Sequence, residues 1–109
     1  MAARYDLKRS GDQFHFTLKA GNGETLLSSE RYTSRQNALN GIESVRENAP
    51  LDTRYTRRNA TNGAPMFNLK AANSQIIGTS ETYSSVTARE AGIQSVKMSA
   101  PGATVNDLT

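Results

Sequence analysis

The side chains in this chain that are able to do chemistry are few, and they come in pairs. Glu30, Tyr32 and Ser34 alternate along one short stretch, and Glu81, Tyr83 and Ser85 repeat the same types at the same spacing. Residues two apart on an extended segment share one face, so each trio gathers a carboxylate, a phenol and a hydroxyl. Such a set can bind a polar ligand, and with perturbed pKa values it can move a proton. Each member also has a structural duty that needs no ligand. Tyr32 and Tyr83 would roof the end of a core, Ser34 and Ser85 would cap helices, and Glu30 and Glu81 would favour a helix N-terminus. The trios are therefore the candidate polar site, and the structural duties are the expectation to test.

The remaining inventory excludes most catalytic plans. His15 is the single histidine and its counterpart in the second trio's half is Met66, so paired-histidine metal motifs are ruled out. The absence of cysteine removes thiolate nucleophiles, disulfides and cysteine zinc sites together. No Gly-x-Ser-x-Gly elbow and no Gly-x-x-x-x-Gly-Lys-Ser/Thr phosphate loop occurs. No catalytic residue, cofactor or metal is expected, and the chain is read as a non-enzyme.

Thirteen basic and ten acidic residues among 109 give a formal charge of +3 and a pI of about 9.5. That balance permits weak attraction to phosphate polymers without demanding it. The densest basic run, Arg54 to Asn59, reads as a solvated strand whose charge discourages edge pairing. No apolar run approaches the roughly 20 residues of a membrane span, and the N-terminal segment lacks a signal-like apolar core. A cytoplasmic protein with no membrane partner is expected.

The elements that must position these residues follow from a duplication. Aligned on itself with an offset of 51, the chain superposes Phe16–Pro50 on Phe67–Pro101 with 15 of 35 positions identical. A repeat of this length is a structural unit too small to bury its own core, so the two units should complete one another. Each unit reads strand, strand, strand, helix. Phe14, Phe16 and Leu18 alternate with polar neighbours, the period of a half-buried strand. Asn22-Gly23 signals a two-residue type I′ hairpin, which would oppose Leu18 with Leu27 and Lys19 with Leu26. On that register Lys19, Leu26, Met66, Lys70 and Ile77 share the open face of the sheet as a candidate binding surface. A bulge in the hairpin would overturn the assignment.

Thr33 to Gln36 matches a capping box, Ala38, Ile42, Val45 and Ala49 follow at helical spacing, and Pro50 stops the helix. Gly41 and Gly92 fall mid-helix, where glycine costs about 1 kcal/mol relative to alanine, so close packing against the sheet or the other helix is expected there. Arg89, which replaces Ala38, is expected to reach a salt bridge in the other unit. Arg54 to Ala60 either closes unit one or opens unit two. Ala103 to Leu108 reads as a last strand anchored by Val105 and Leu108. The domain is taken as 1–109, with internal repeats of approximately 4–53 and 54–109.

The tandem motifs "FxLKAxN", "SExYxS" and "GIxSV" resemble the YegP-like family of small bacterial proteins of unknown function over essentially the whole chain. The resemblance implies an α+β fold: two tandem β-β-β-α-β repeats sharing a single mostly antiparallel sheet, two helices on one face, and C-terminal strands exchanged between repeats. It implies no activity, cofactor or catalytic residue. Three readings of function follow. The leading one is a non-catalytic interaction module that meets a protein partner through its open sheet face or sheet edges, expected as a monomer, with pairing of two chains through edge strands as the alternative. The alternative is weak nucleic-acid binding by a basic sheet surface, which the inward prediction for Phe14, Phe16 and Phe67 disfavours, because base-stacking sheets display their aromatics. An enzyme comes last, for want of a nucleophile–base pair.

Overall fold

A computed structural model describes residues 2–109 of the chain. The first repeat runs β1 (Arg4–Ser10), β2 (Gln13–Lys19), β3 (Thr25–Ser28) and α1 (Arg35–Asn48). A single 3-10 turn at Asp52–Arg54 leads straight into β4 (Tyr55–Asn59), then β5 (Pro65–Lys70), β6 (Ile76–Thr79), α2 (Val86–Ser99) and β7 (Thr104–Asp107). The seven strands form one sheet in the order β4-β5-β6-β3-β2-β1-β7, and the repeats meet where β3 pairs with β6. Every pairing is antiparallel except β1 with β7. Arg54 to Asn59 therefore opens the second repeat. The second repeat's last strand crosses over to cover the first repeat's β1, whereas the first repeat spends its corresponding residues on the turn before β4.

Both helices pack on the same sheet face. α1 lies over β2 and reaches β5 and β6, and α2 lies over β5 and reaches β3, so each helix holds both repeats. Tyr5, Leu7, Phe16, Leu18, Phe67, Leu69, Ile42, Val45, Ile93 and Val96 are fully or almost fully buried between the layers. Two phenols tie the repeats together. The Tyr5 hydroxyl donates to the Ala100 carbonyl at the end of α2, and Tyr55 donates to Ala49 at the end of α1, both at 2.7 Å. Both helices end one residue before an Ala-Pro pair, as expected of proline.

The hairpin register differs from the sequence expectation. Gly23 N–H donates to the Ala20 carbonyl and Ala20 N–H to the Glu24 carbonyl, so the loop is Gly21-Asn22-Gly23. Gly23 takes the left-handed backbone at φ 88°, and no described non-glycine residue except Ser74 does so. This is the three-residue loop of a type I turn followed by a left-handed residue, not a type I′ turn. Asn22 Oδ1 accepts from Glu24 N–H, and the same bond recurs from Ala64 to Asn62 and from Gln75 to Asn73.

The extra residue also moves the strands past one another. Leu18 opposes Leu27 as expected, but Lys19 opposes Thr25, with a bulge between. In the second repeat Leu69 opposes Gly78 and Lys70 opposes Ile76, with the same bulge. Leu26 and Ile77, the residues left over, are buried at 5% and 8% exposure and belong to the apolar core. The expected open-face positions of Leu26 and Ile77 are thus overturned. Gly78 lets the inequality of the two cores close: a Cβ there would sit 3.1 Å from Leu27 Cδ1, so Leu27 fills the room that Gly78 leaves.

Three smaller expectations are also corrected. Ser34 caps α1 as expected, but the Thr33–Gln36 capping box does not form, because the Gln36 amide donates to Asn40 instead of folding back. Arg89 pairs with its neighbour Glu90, not with the other repeat. Leu108 is 53% exposed and anchors nothing by its side chain, although its N–H continues the β7 ladder to the Leu7 carbonyl at 2.8 Å.

Candidate functional site

The paired trios are built the same way twice. Ser34 Oγ accepts from Asn37 N–H at 3.1 Å and Ser85 Oγ from Ala88 N–H at 3.0 Å, each capping its helix. Tyr32 stacks on Phe16 with ring centroids 6.2 Å apart and 10° between planes, and Tyr83 stacks on Phe67 at 6.2 Å and 12°. Each phenol ends directly over the mid-helix glycine. A Cβ on Gly41 would lie 2.4 Å from Tyr32 Oη, and one on Gly92 2.2 Å from Tyr83 Oη. No real side chain fits at such a distance, which accounts for both glycines. Burial raises the pKa of both phenols, with Glu30 adding to the effect at Tyr32, and Glu81 and Glu24 at Tyr83. Protonated phenols are poor bases at neutral pH, and Glu30 and Glu81 are exposed carboxylates on the surface.

Sequence reasoning missed the serine that holds this junction. Ser29 Oγ accepts from Phe16 N–H at 2.9 Å and donates to the Glu30 carbonyl at 2.7 Å, and Ser80 does the same between Phe67 and Glu81. The signal was present: both serines are among the identical positions of the duplication. The trio is thus a strand-to-helix joint in which every hydroxyl but the phenols' is committed to backbone.

The open face of the sheet has a different character. Residues paired across neighbouring strands share a face, so the registers define one continuous row: Asn106, Asp6, Thr17, Ser28, Thr79, Asn68 and Thr56, one from each strand. At about 4.8 Å per strand the row spans roughly 29 Å. Cations flank it on either side: Arg4, Lys8 and Lys19 in the first repeat, Arg58 and Lys70 in the second. Met66 stands opposite Arg58, and Ile76, not Ile77, stands opposite Lys70. Lys19, Met66 and Lys70 therefore occupy the face assigned to them from sequence.

Electrostatically this face is one-sided. Its strand residues carry five cations against one carboxylate, Asp6, while the rest of the chain carries eight cations against nine acids. Asp6 is 4% exposed and already occupied: its Oδ1 accepts from Arg4 Nε at 2.9 Å and Asn106 Nδ2 at 3.0 Å, and Lys19 Nζ stands 4.0 Å from Oδ2. Burial alone would raise its pKa, but the bonds from Asn106 and Arg4 with the charges of Arg4 and Lys19 prevail and lower it. His15 is shifted downward as well, by a different set of causes. Burial first, then the charges of Arg31 and Lys8, lower its pKa and hold the imidazole neutral.

Relatives match this chain over its full length in sequence, and two solved structures share its fold. The profile of a domain of unknown function, DUF1508, matches the chain twice, at residues 10–55 and 60–107. A UPF0339 protein of Shewanella oneidensis is 56% identical over 110 residues, covering 100% of each chain. The UPF0339 protein YegP of Escherichia coli strain K12 is 54% identical over 110 residues, again covering 100% of each. Solution NMR structures of the UPF0339 protein from Shewanella oneidensis and of yegP from Escherichia coli, described as a protein of unknown function, both superpose with TM-score 0.92 at 54% identity. They cover 100% of this chain, and it covers 93% and 95% of theirs. With both repeats matched and full-length relatives above half identity, the chain belongs to the YegP-like UPF0339 family of tandem DUF1508 repeats.

Proposed function

We propose that this protein is a cytoplasmic, monomeric, non-catalytic binding module whose open sheet face grips a single-stranded nucleic acid by its phosphates. The observation that carries the reading is the polar row flanked by Arg4, Lys8, Lys19, Arg58 and Lys70, with its one carboxylate already consumed. Along the row the hydroxyls of Ser28, Thr79 and Thr56 are left as donors for phosphate oxygens, whereas the Asn106 and Asn68 amides donate to Asp6 and Thr79 and the Thr17 hydroxyl is buried. The protein-partner reading of the same face is weakened, because Leu26 and Ile77 are in the core and Met66 and Ile76 are the apolar side chains that remain on it. Phe16 and Phe67 are fully buried and turned toward the helices, so base stacking contributes nothing and binding is indifferent to sequence. A non-catalytic role is favoured by the trios, whose phenols are held protonated and whose caps are bonded to backbone.

Fluorescence anisotropy of labelled single-stranded RNA and DNA tests this. Five cations less the one charge neutralised by Asp6 leave four phosphate contacts on a single strand, which predict a slope of log K against log salt of about −2.8, hence an affinity loss of about 50-fold between 50 and 200 mM salt. Lys19→Glu plus Lys70→Glu should remove most of the binding and flatten the slope. Wild-type binding that is absent at 50 mM salt, or that ignores those two charges, refutes the reading.

A further inference from the structure

On the opposite side of the sheet, between β3 of the first repeat and α2 of the second, lies a cleft of about 740 Å3. Small-molecule sites fall at about 300–1,000 Å3. The cleft's walls include apolar side chains: Leu26, buried and displaced inward by the bulge, the half-buried ring of Tyr83, and Ala88 and Ala91 of α2. Glu24 and Glu81 stand at its rim, both exposed. The two carboxylates bear on one place, since both raise the pKa of the Tyr83 phenol after burial has done so. At Tyr32, in the matching place of the first repeat, Glu30 alone acts in this way.

The duplication supplies an internal control for what the fold itself requires. The tyrosine over its glycine, the capping serine and the serine bridge are the same in both repeats. The cleft residues are not. Where the second repeat's helix has Ala88 and Ala91, the first has Asn37 and Asn40; where the cleft has Glu24 and Thr82, the other side has Gln75 and Arg31. One copy is thus narrowed by amides and stripped of net negative charge, while the other keeps small side chains and two acids. Because the joint is complete with either set, packing does not explain the small, acidic version.

We propose that this cleft binds a small organic cation, a primary alkylammonium or alkylguanidinium whose chain lies against Leu26 and Ala91 and whose charge is met by Glu24 and Glu81. The occupant is a free small molecule. The apolar wall excludes inorganic cations, which would keep their hydration, and the acidic rim excludes anionic ligands that the open face would attract. The two surfaces therefore select opposite charges on opposite sides of one sheet, and this site stands or falls independently of the nucleic-acid reading.

The test is a titration of the 15N-labelled full chain with n-pentylammonium and with agmatine, using 1-pentanol and pentanoate as neutral and anionic controls. Saturable shifts are expected at Glu24 to Leu26, Glu81 to Tyr83 and the Ala88–Ser95 face. Glu24→Gln plus Glu81→Gln should weaken both cations about tenfold, as two partly exposed ion pairs predict. Ala91→Phe should abolish binding, whereas Asn40→Phe, its counterpart in the first repeat, should leave it intact. All four positions are exposed, so a well-dispersed spectrum verifies that each variant folds. The proposal is overturned by 1-pentanol binding as tightly as the ammonium, by equal shifts at Glu43 and Glu47 on α1, or by unchanged affinity in the double glutamine variant. N-acetyl-lysine methylamide binding more tightly than n-pentylammonium would also overturn it, by making a protein side chain the occupant.

Discussion

Replacing Gly92 by alanine should destabilise this protein, although the same change in an ordinary helix interior stabilises by about 1 kcal/mol. The added Cβ would stand 2.2 Å from Tyr83 Oη, 2.6 Å from Cζ and 3.1 Å from Cε1, against the 3.5–4.0 Å at which carbon atoms normally rest. The ring must therefore retreat by about 1 Å, a displacement that forfeits a quarter to a half of each dispersion contact it leaves. Its stack on Phe67 is the contact most exposed to that loss, because the Tyr83 backbone is fixed by its N–H bond to the Pro65 carbonyl. Overpacking of this kind costs about 1–3 kcal/mol, so the net effect of Gly92→Ala is a loss of up to about 2 kcal/mol. In a Tyr83→Ala background the obstacle is gone, and Gly92→Ala should now gain about 1 kcal/mol. Urea denaturation of the four proteins, followed by circular dichroism, closes the cycle. The expected coupling, about 1–3 kcal/mol, exceeds the additivity error of about 0.5 kcal/mol for independent sites. Equal stabilisation by Gly92→Ala in both backgrounds would refute the account of why glycine stands mid-helix.

The remaining expectations bear on the turn, the titrating groups and the basic face. Ser74 holds a left-handed backbone at φ 69° where Gly23 stands in the first repeat, so Ser74→Gly should raise stability by about 1 kcal/mol, seen as a melting temperature about 4 °C higher. His15 has a folded pKa below its unfolded value, so its contribution is complete above about pH 6.5 and is lost as pH falls through the folded pKa. Bound polyanion should offset the field of Arg31 and Lys8 and raise that pKa, a shift read directly from the single histidine's NMR titration; an unchanged value with polyanion bound would place the ligand elsewhere. Asp6→Asn should free Arg4 and Lys19, raising nucleic-acid affinity several-fold while lowering stability by about 1–3 kcal/mol for the lost charged hydrogen bonds. Asp6 ionisation, with its folded pKa lowered, stabilises above the unfolded pKa near 3.9 and ceases to do so as pH falls through the folded value.

What could be read from the sequence was what repeats in it. The duplication, the order of strands and helices, the serine caps and the need for a close approach at Gly41 and Gly92 all lie in identical positions of the two copies. The register failed because Asn22-Gly23 suggests a two-residue loop, while the left-handed residue sits one place later in a three-residue one. A hint was available in the first copy: Leu26-Leu27 puts two apolar residues side by side where alternation requires one, while its counterpart Ile77-Gly78 hides the same pattern behind a glycine. A bulge is the device that turns adjacent side chains toward the same layer. The row across the open face was beyond reach for another reason. Its seven members come from seven strands and are never close in sequence, so they meet only once the sheet order is known.

The duplication completes one core without producing two equal edges, and the difference is chemical. At the β1 edge, β7 arrives in parallel, Leu7 is fully buried and Asp107 pairs with Arg35 at the start of α1. At the β4 edge no strand of the described chain arrives. The residue matching Leu7 in the upstream echo of the repeat is Arg57, which faces the helices at the sheet's margin across from Phe67. Its guanidinium bonds to Asp52 at 3.0 Å and to Glu90 at 2.9 Å, and Lys97 reaches the same Asp52 oxygen at 2.8 Å. An inward charge at an edge discourages a further strand, because pairing would bury it. The first repeat's β1 is thus covered by β7, which becomes the sheet's outer strand on that side, and the second's β4 is guarded by an ion network. Beside the outer edge of β7, that leaves the open face and the β3–α2 cleft as surfaces with chemistry unspent, the one basic and polar, the other acidic and apolar.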